Sequence, residues 1–177
     1  IEQIKEIAVD ISNNYSIKKI LFAIGKMDSD NTVKGDKDIL EINGISPIIF
    51  SQTFIPYLNK ETHLIFLSSV ASERGRKSNF LYGAGKSMLS TYAEGLQHKY
   101  HKKRIYTTLI KLGPTKTSMF YNSNSKALFA AELNLVAKSI IKAVASKKRV
   151  VYIPAKWRYI MFVVKNIPSF IFNKIDI

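Results

Sequence analysis

The middle of the chain contains the run His63-Leu64-Ile65-Phe66-Leu67-Ser68-Ser69-Val70. A short, unbroken apolar run is typical of a strand that is buried on both faces, as in a parallel sheet. Two hydroxyls lie at its carboxyl end, which is where open α/β sheets bind their ligands. The run therefore predicts a parallel sheet and also the edge of that sheet at which chemistry would take place.

The rest of the sequence alternates between strand-like and helix-like segments. Apolar runs predict three further strands, at 19–25, 104–112 and Val150–Ile153. Apolar residues at helical spacing predict helices over 1–15, 38–58, 82–100 and 130–146. The polar stretches 26–37 and 71–81 are predicted loops. Strands that alternate with helices favour an α/β domain with a parallel sheet.

Composition narrows the functional classes. The chain has 177 residues, of which 46% are apolar and 23% charged, as expected for one globular domain. It has no cysteine, which excludes a disulfide framework and thiolate chemistry and suits a cytoplasmic protein. The three histidines are too scattered to be metal ligands, so no metal is expected.

Charge is distributed unevenly along the chain. Residues 1–61 carry nine acidic and seven basic residues, a net charge of −2, whereas residues 62–177 carry four acidic and twenty basic residues, a net charge of +16. Such a basic region favours an anionic partner, namely nucleic acid, a phosphorylated ligand or a membrane surface, although solvated surface lysines explain it equally well. Nucleic acid is not expected, because the aromatic residues lie in apolar runs rather than among the lysines.

A Tyr-x-x-x-Lys pattern occurs three times, at Tyr15/Lys19, Tyr82/Lys86 and Tyr152/Lys156. Chance alone predicts about one such match from nine tyrosines and 22 lysines, so context must separate them. Pro154 lies inside the last pair and opposes a helical turn, and the first pair runs from a helix into a strand. Only Tyr82 and Lys86 open a predicted helix, thirteen residues after Ser69, so this spacing places phenol and ammonium on one helix face.

Together with Asn43, these residues resemble the Asn-Ser-Tyr-Lys tetrad of the short-chain dehydrogenases/reductases. Two weaker marks agree: residues 21–25 stand where that family has an Asn-Asn-Ala-Gly strand end, and residues 112–117 stand where it has Pro-Gly-x-Val-x-Thr. The resemblance implies an oxidoreductase that uses NAD or NADP. The cofactor-binding residues that it implies are Ile24, Gly25, Tyr82, Lys86, Gly113, Thr115 and Thr117.

The resemblance also implies a role for each member of the tetrad. Tyr82 gives a proton to the substrate carbonyl oxygen, and Ser69 donates a hydrogen bond to the same atom. Because a free phenol has a pKa near ~10, we expect the Lys86 ammonium to lower the pKa of Tyr82, besides holding the nicotinamide ribose. Asn43 would hold a water molecule that links Lys86 to bulk solvent.

A narrower resemblance concerns residues 69–83 and the tail from residue 151 to residue 161. Both segments are similar to the decaprenylphosphoryl-2-keto-ribose reductases and to related reductases of polysaccharide gene clusters. This resemblance implies a keto-sugar substrate, lipid- or nucleotide-linked, in polysaccharide biosynthesis. By analogy with the family, helix 82–100 would form the interface of a homodimer or tetramer.

No G-x-x-x-G-x-G or G-x-G-x-x-G occurs in the sequence, although the family holds the cofactor phosphates on such a turn. We therefore expect the C-terminal half of a Rossmann-like parallel sheet (strands four to seven), with the first βαβ units missing. In that case the strand at 20–25 becomes a bare apolar edge, and the chain binds NAD(H) and NADP(H) poorly or not at all. Micromolar binding in isothermal titration calorimetry would refute this expectation.

The predicted organisation is a partial Rossmann-like catalytic domain at 1–155 and a basic, aromatic C-terminal helix at 156–177. The tail is too short and too charged for a membrane span but suits an interfacial helix on an anionic membrane, at its inner face. The alternative is a tail buried at a subunit interface or over the active site. A different functional class also stays open, an inactive, cofactor-free remnant that serves as a membrane- or partner-binding module.

Overall fold

The computed structural model describes residues 2–27, 32–122 and 129–175. Within them, parallel strands form one four-stranded sheet in the order β1-β2-β3-β4. The strands are β1 (Lys19–Phe22), β2 (His63–Ser69), β3 (Tyr106–Leu112) and β4 (Val150–Ile153). The predicted parallel α/β fold is confirmed. The first strand is shorter than predicted, since it ends at Phe22 rather than at Gly25.

Eight α-helices accompany the sheet in the described residues. They are α1 (Glu2–Asn14), α2 (Val33–Leu40), α3 (Ser46–Phe54), α4 (Phe80–Lys99), α5 (Ser118–Asn122), α6 (Leu133–Ala145), α7 (Trp157–Asn166) and α8 (Ser169–Phe172). The single helix predicted over 38–58 is composite, because a π-helical turn (Glu41–Ile45) joins α2 to α3 and a 3₁₀ turn (Ile55–Tyr57) follows.

The loop predicted at 26–37 is wrong in its last part. Helix α2 already begins at Val33, because the Thr32 hydroxyl accepts a hydrogen bond from the Gly35 amide at 3.0 Å and caps the helix. Residues 28–31 of that predicted loop lie outside the described residues. Helix α5 was not predicted.

The core has two layers, one on each face of the sheet. Side chains alternate along β2, so Leu64 and Phe66 face α4 while Ile65 faces α6. On the α4 side, the Phe22 ring stacks on the Phe66 ring with centroids 4.6 Å apart. Strand β1 lies at the edge of the described sheet, where Leu21 is 53% exposed.

The strand register brings the candidate residues to one edge of the sheet. Ser69 pairs with Leu112, and Leu112 pairs with Ile153, so β2, β3 and β4 end side by side. Residues 23–25 follow β1 on the same edge. This is the carboxyl edge, at which the hydroxyls of β2 were predicted to mark the site.

The C-terminal tail is held against the loop that follows β2. The Arg74 guanidinium donates to the carbonyl oxygens of Val164 at 2.7 Å and Ile167 at 2.6 Å, and lies 3.8 Å from the centroid of the Phe172 ring. Pro168 separates α7 from α8. Among the helices in the described ranges, none has the length and apolarity that a bilayer crossing requires.

Candidate active site

Ser69 is the last residue of β2 and caps the 3₁₀ turn that follows. Its Oγ accepts a hydrogen bond from the Ala71 amide at 3.1 Å and lies 3.4 Å from the Leu112 carbonyl oxygen. The same hydroxyl lies near the Tyr82 side chain and lowers the pKa of its phenol. The structure thus brings together two residues thirteen positions apart, because α4 starts beside the end of β2.

Lys86 follows Tyr82 by one turn of α4, and its side chain is almost fully buried. Its ammonium lies 5.9 Å from the centroid of the Tyr82 ring. It donates hydrogen bonds to the carbonyl oxygens of Ile24 at 2.8 Å and Leu67 at 3.1 Å. These bonds join α4 to the ends of β1 and β2, and burial lowers the pKa of Lys86 to about 8.

The pKa of Tyr82 corrects one expectation. Burial raises this pKa above its ordinary value, and two weaker opposing influences lower it, the nearby Ser69 hydroxyl and the charge of Arg76. Lys86 is not among the causes, because its own lowered pKa of about 8 leaves it uncharged at the alkaline pH at which a phenol ionises. The expected acidification of Tyr82 by Lys86 is therefore wrong for this structure, and the cation that acts on the phenol is Arg76.

Asn43 is fully buried in the π-helical turn between α2 and α3. Its Nδ2 donates to the carbonyl oxygens of Lys26 at 2.5 Å and Ile39 at 2.8 Å, and its Oδ1 accepts from the Lys26 amide at 3.3 Å. Single π-turns inside helices are frequent at functional sites. Here the amide holds the backbone that follows β1, and the water-holding role expected from the resemblance remains a prediction.

Gly25 lies between two members of the tetrad. A Cβ at this position would stand 3.2 Å from Asn43 Oδ1 and 3.4 Å from Lys86 Nζ. Ile24 and Gly25 are both exposed, so their backbone is open to a ligand at the edge of the sheet. The structure therefore places both predicted cofactor-binding residues beside Lys86.

Gly113 follows β3 and packs against the tail. A Cβ at Gly113 would overlap the indole of Trp157, whose Nε1–H is buried and has no hydrogen-bond acceptor among the described residues. The Thr115 hydroxyl donates to the Gly113 carbonyl oxygen at 3.1 Å, and the Thr117 hydroxyl donates to the Thr115 carbonyl oxygen at 3.3 Å. Both threonines thus shape the loop after β3.

Two features of this region were not found from the sequence. Arg76 lies in the loop before α4, and its buried Nε–H has no hydrogen-bond partner in the described residues. Glu73 has a buried carboxylate that forms ion pairs with Lys111 and with the half-exposed Lys165 and accepts a hydrogen bond from the Tyr152 hydroxyl. No spacing rule connects these residues, since they come from the segment between β2 and α4, from two strands and from α7.

The residues at this edge fit the nicotinamide-ribose end of a dinucleotide. An ammonium has three N–H donors, and Lys86 uses two of them on carbonyl oxygens, which leaves one for a ribose hydroxyl. The buried Trp157 Nε1–H beside Gly113 is a second donor without an acceptor. The phosphate end is different, because this sequence contains no Gly-rich turn of the usual form.

Comparison with known proteins gives concordant results. Residues 4–128 match the family described as short chain dehydrogenase. The uncharacterized oxidoreductase Rv2073c of Mycobacterium tuberculosis is 28% identical over 115 residues, which are 63% of this chain and 44% of that protein. The uncharacterized oxidoreductase MT2133, from another strain of the same species, is 27% identical with the same coverage. The chain thus spans 44% of the length of these curated relatives.

Solved structures share the fold at lower identity. A short chain dehydrogenase from Burkholderia cenocepacia in complex with NADP superposes with a TM-score of 0.78 at 16% identity, covering 93% of this chain and 72% of that chain. A short-chain dehydrogenase from Sphingobium yanoikuyae in complex with NADPH gives a TM-score of 0.76 at 13% identity, covering 94% and 72%. At these identities the similarity is one of fold.

Proposed function

This chain belongs to the short chain dehydrogenase family of oxidoreductases, and we propose that it forms the catalytic end of an NAD(P)-dependent ketone reductase. The observation that carries the proposal is that Ser69 ends β2 beside α4, the helix whose first turns carry Tyr82 and Lys86, with the Lys86 ammonium hydrogen-bonded to the Leu67 carbonyl oxygen of β2. Lys86 lies one helical turn beyond Tyr82 on α4. The substrate carbonyl would be bound beside the hydroxyls of Ser69 and Tyr82.

Tyr82 is the proposed proton donor. Because burial raises its pKa, the phenol stays protonated at neutral pH and is ready to give its proton to a carbonyl oxygen. The bound nicotinamide supplies the hydride. Ser69 donates a hydrogen bond to the same carbonyl oxygen, where negative charge develops during reduction.

Lys86 and Asn43 organise the neighbouring backbone. Lys86 has one N–H left for the nicotinamide ribose after binding the carbonyl oxygens of Ile24 and Leu67. Asn43 holds both backbone polar groups of Lys26, directly after Gly25. We therefore assign Asn43 as a positioning residue for the exposed turn after β1, against which the cofactor would lie.

The test is an assay of the intact protein that carries these residues, with a panel of ketones and with NADPH or NADH. Ketone reduction is measured as the decrease in absorbance of the reduced cofactor. The Tyr82→Phe variant removes only the phenol oxygen, and we expect a loss of about 10²- to 10⁴-fold in kcat/KM. The matched control is Tyr121→Phe, since Tyr121 is 64% exposed, and its activity should be unchanged. Retained activity in Tyr82→Phe would refute the proposed role.

The proposed substrate class is a keto-sugar linked to a lipid or a nucleotide, as the narrower sequence resemblance implies. The net charge of +16 on residues 62–177 supports a substrate that carries phosphate. The measurement is kcat/KM for a phosphate-linked keto-sugar relative to the unlinked sugar. A ratio near one would argue against this class.

The tail supports a location at an anionic membrane surface on the cytoplasmic side. Tyr159, Phe162, Val163 and Phe170 are all more than 60% exposed on α7 and α8, next to basic residues of the same segment. We expect the protein to float with anionic liposomes and not with neutral ones.

The double variant Phe162→Ser/Phe170→Ser should lose liposome binding. Ile141→Ser is the matched control, because Ile141 is equally exposed on α6, away from the tail. Absence of flotation with an intact tail would end the membrane proposal.

Helix α4 is the proposed interface of a homodimer or tetramer. Phe80, Ala84 and Met88 recur every four residues on it and are all exposed, so they form an apolar strip along one side of the helix. A charge at the centre of this strip, Ala84→Arg, should convert the oligomer to a monomer in sedimentation equilibrium. A wild-type protein that sediments as a monomer would refute the proposed interface.

A further inference from the structure

Arg76 is a partly buried cation that has no anionic partner in the part of the chain that the structure describes. It lies in the loop between β2 and α4, where its carbonyl oxygen accepts a hydrogen bond from the Asn79 amide at 3.2 Å. Its Nε–H is buried and donates to no acceptor, and within the described ranges its guanidinium pairs with no carboxylate. Withdrawing a cation from water without compensation is costly, so this position favours an external anion.

The neighbouring residues show why Arg76 differs from the other cations of this loop. Arg74, two positions earlier, directs its guanidinium at carbonyl oxygens of the tail. The nearby carboxylate of Glu73 already binds Lys111 and Lys165. No described carboxylate therefore faces Arg76, whereas Arg74 has carbonyl acceptors and Lys111 and Lys165 have Glu73.

The loop that carries Arg76 is joined to the first turn of α4, which carries the proposed proton donor Tyr82. The Asn79 amide donates to the Arg76 carbonyl oxygen, and the Gly83 amide donates to the Asn79 carbonyl oxygen at 2.9 Å. The charge of Arg76 lowers the pKa of Tyr82, and the Tyr82 phenol in turn favours the charged form of Arg76. An anion held by the guanidinium would consequently lie close to the carbonyl oxygen that Tyr82 protonates. That anion and the reacting ketone can belong to one small molecule.

We propose that Arg76 binds an anionic oxygen group of the ketone substrate, a phosphate ester or a carboxylate, beside the carbonyl group that Tyr82 protonates. A guanidinium presents paired N–H donors that match the oxygens of either group, and such charge-assisted bonds are stronger than neutral ones. The inference rests on the proposed reductase function and makes it narrower, since neutral ketones would be poorer substrates than anionic ones.

The test measures anion binding without turnover. The chain has five arginines, so the NMR signals of the arginine Nε–H groups form a simple spectrum in which Arg76 is identified by its loss in Arg76→Gln. Methyl phosphate and acetate are the two anionic probes, and methanol is the neutral one. We expect the Arg76 signal to shift with saturation on addition of methyl phosphate, acetate or both, and to stay in place with methanol. The anion that shifts it identifies the class of group.

Matched variants separate a specific site from general attraction to a basic protein. In Arg76→Gln the Kd of the bound anion should rise about tenfold or more. In Arg76→Lys it should rise by less, because lysine keeps the charge but lacks the paired N–H donors of the guanidinium. Arg149→Gln removes the same charge at the amino end of β4, the opposite edge of the sheet, and should change the Kd less than about twofold. The remaining arginine signals report whether each variant is folded.

Three results would overturn the proposal: an Arg76 signal that neither anion moves, equal weakening by Arg76→Gln and Arg149→Gln, or displacement of the anion by NADP. Displacement would assign Arg76 to a cofactor phosphate instead of the substrate. The reductase function is tested separately, since absence of ketone reduction by the wild-type protein would refute that function and leave the anion site at Arg76 intact.

Discussion

The Lys86 ammonium donates a hydrogen bond to the Ile24 carbonyl oxygen at 2.8 Å, across 62 positions of sequence. This bond ties the helix that carries Tyr82 to the turn after β1, on which the cofactor would lie. Burial lowers the pKa of Lys86 to about 8, so the ammonium loses its proton as the pH rises through that value. The connection between α4 and β1 is therefore sensitive to pH in the mildly alkaline range.

The first prediction concerns the pH profile of ketone reduction. Above a pH of about 8 the neutral amine has fewer donors for the ribose and the two carbonyl oxygens, so kcat/KM should fall as the pH rises. In Lys86→Arg the side chain stays charged, and the decline near that pH should disappear even though the overall rate is lower. Lys99→Arg on the exposed part of the same helix should keep the decline of the wild type. A wild-type profile that stays flat up to pH ~10 would contradict this assignment.

The second prediction concerns the contact between Gly113 and Trp157. A methyl group in Gly113→Ala would overlap the indole, and such overpacking costs about 1–3 kcal/mol in the free energy of unfolding. Trp157 is the only tryptophan of the sequence, so its fluorescence should report the displacement directly.

Gly95→Ala is the matched control for that variant. A Cβ at Gly95 meets no atom within 4 Å, and the position is inside α4. Alanine should therefore stabilise the protein by up to about 1 kcal/mol through its better helix propensity. Equal stability changes in the two variants, measured by urea denaturation, would show that the indole does not constrain Gly113.

The third prediction concerns the pH dependence of stability through His63. This imidazole is buried and hydrogen-bonded to the Thr108 hydroxyl at 2.7 Å; burial, aided by the charges of Lys19 and Lys147, lowers its pKa from 6.5 to about 4. As the pH falls from 7 to 4, the unfolded chain binds a proton that the folded protein refuses. The free energy of unfolding should therefore fall by up to about 3 kcal/mol over this window.

Denaturation curves at pH 7 and pH 4.5 test the role of His63. The variant His63→Gln should lose most of this pH dependence, although other groups also titrate in the window. His98→Gln should keep it, because His98 is exposed on α4. An unchanged pH dependence in His63→Gln would assign the effect to other groups.

The fourth prediction concerns Glu73, whose side chain is 2% exposed. Burial raises the pKa of Glu73, but the ammonium groups of Lys111 and Lys165 together lower it by more, so this pKa lies below its usual value and the carboxylate stays charged. Glu73→Gln would leave the buried ammonium of Lys111 without its main partner, at a cost of about 3–5 kcal/mol. Glu94→Gln removes a half-exposed carboxylate 3.7 Å from the same ammonium and should cost about 1 kcal/mol or less. Similar losses in the two variants would refute the central position of Glu73.

The sequence by itself was sufficient to predict most of the strands and helices and the order of the candidate active-site residues along the chain. Apolar periodicity follows from burial of each segment, so it predicted β2, β4, α4 and α6 closely, and the placement of Ser69 before Tyr82 followed from their spacing. Local signals were weaker where a capping side chain or a π-turn decides the outcome, as at Thr32 and within 41–45.

Tertiary structure alone decided which charges act on which groups. Lys86 is one turn from Tyr82 in every α-helix, yet its ammonium is directed at Ile24 and Leu67, and the phenol responds to Arg76 instead. The contacts of Trp157 with Gly113, and of Arg74 with Val164, join segments that are 44 and 90 positions apart. Such contacts depend on how the loops and the tail pack at the carboxyl edge of the sheet. The periodicity of a single segment reports only which of its residues are buried, so it cannot predict the electrostatic environment that this packing creates.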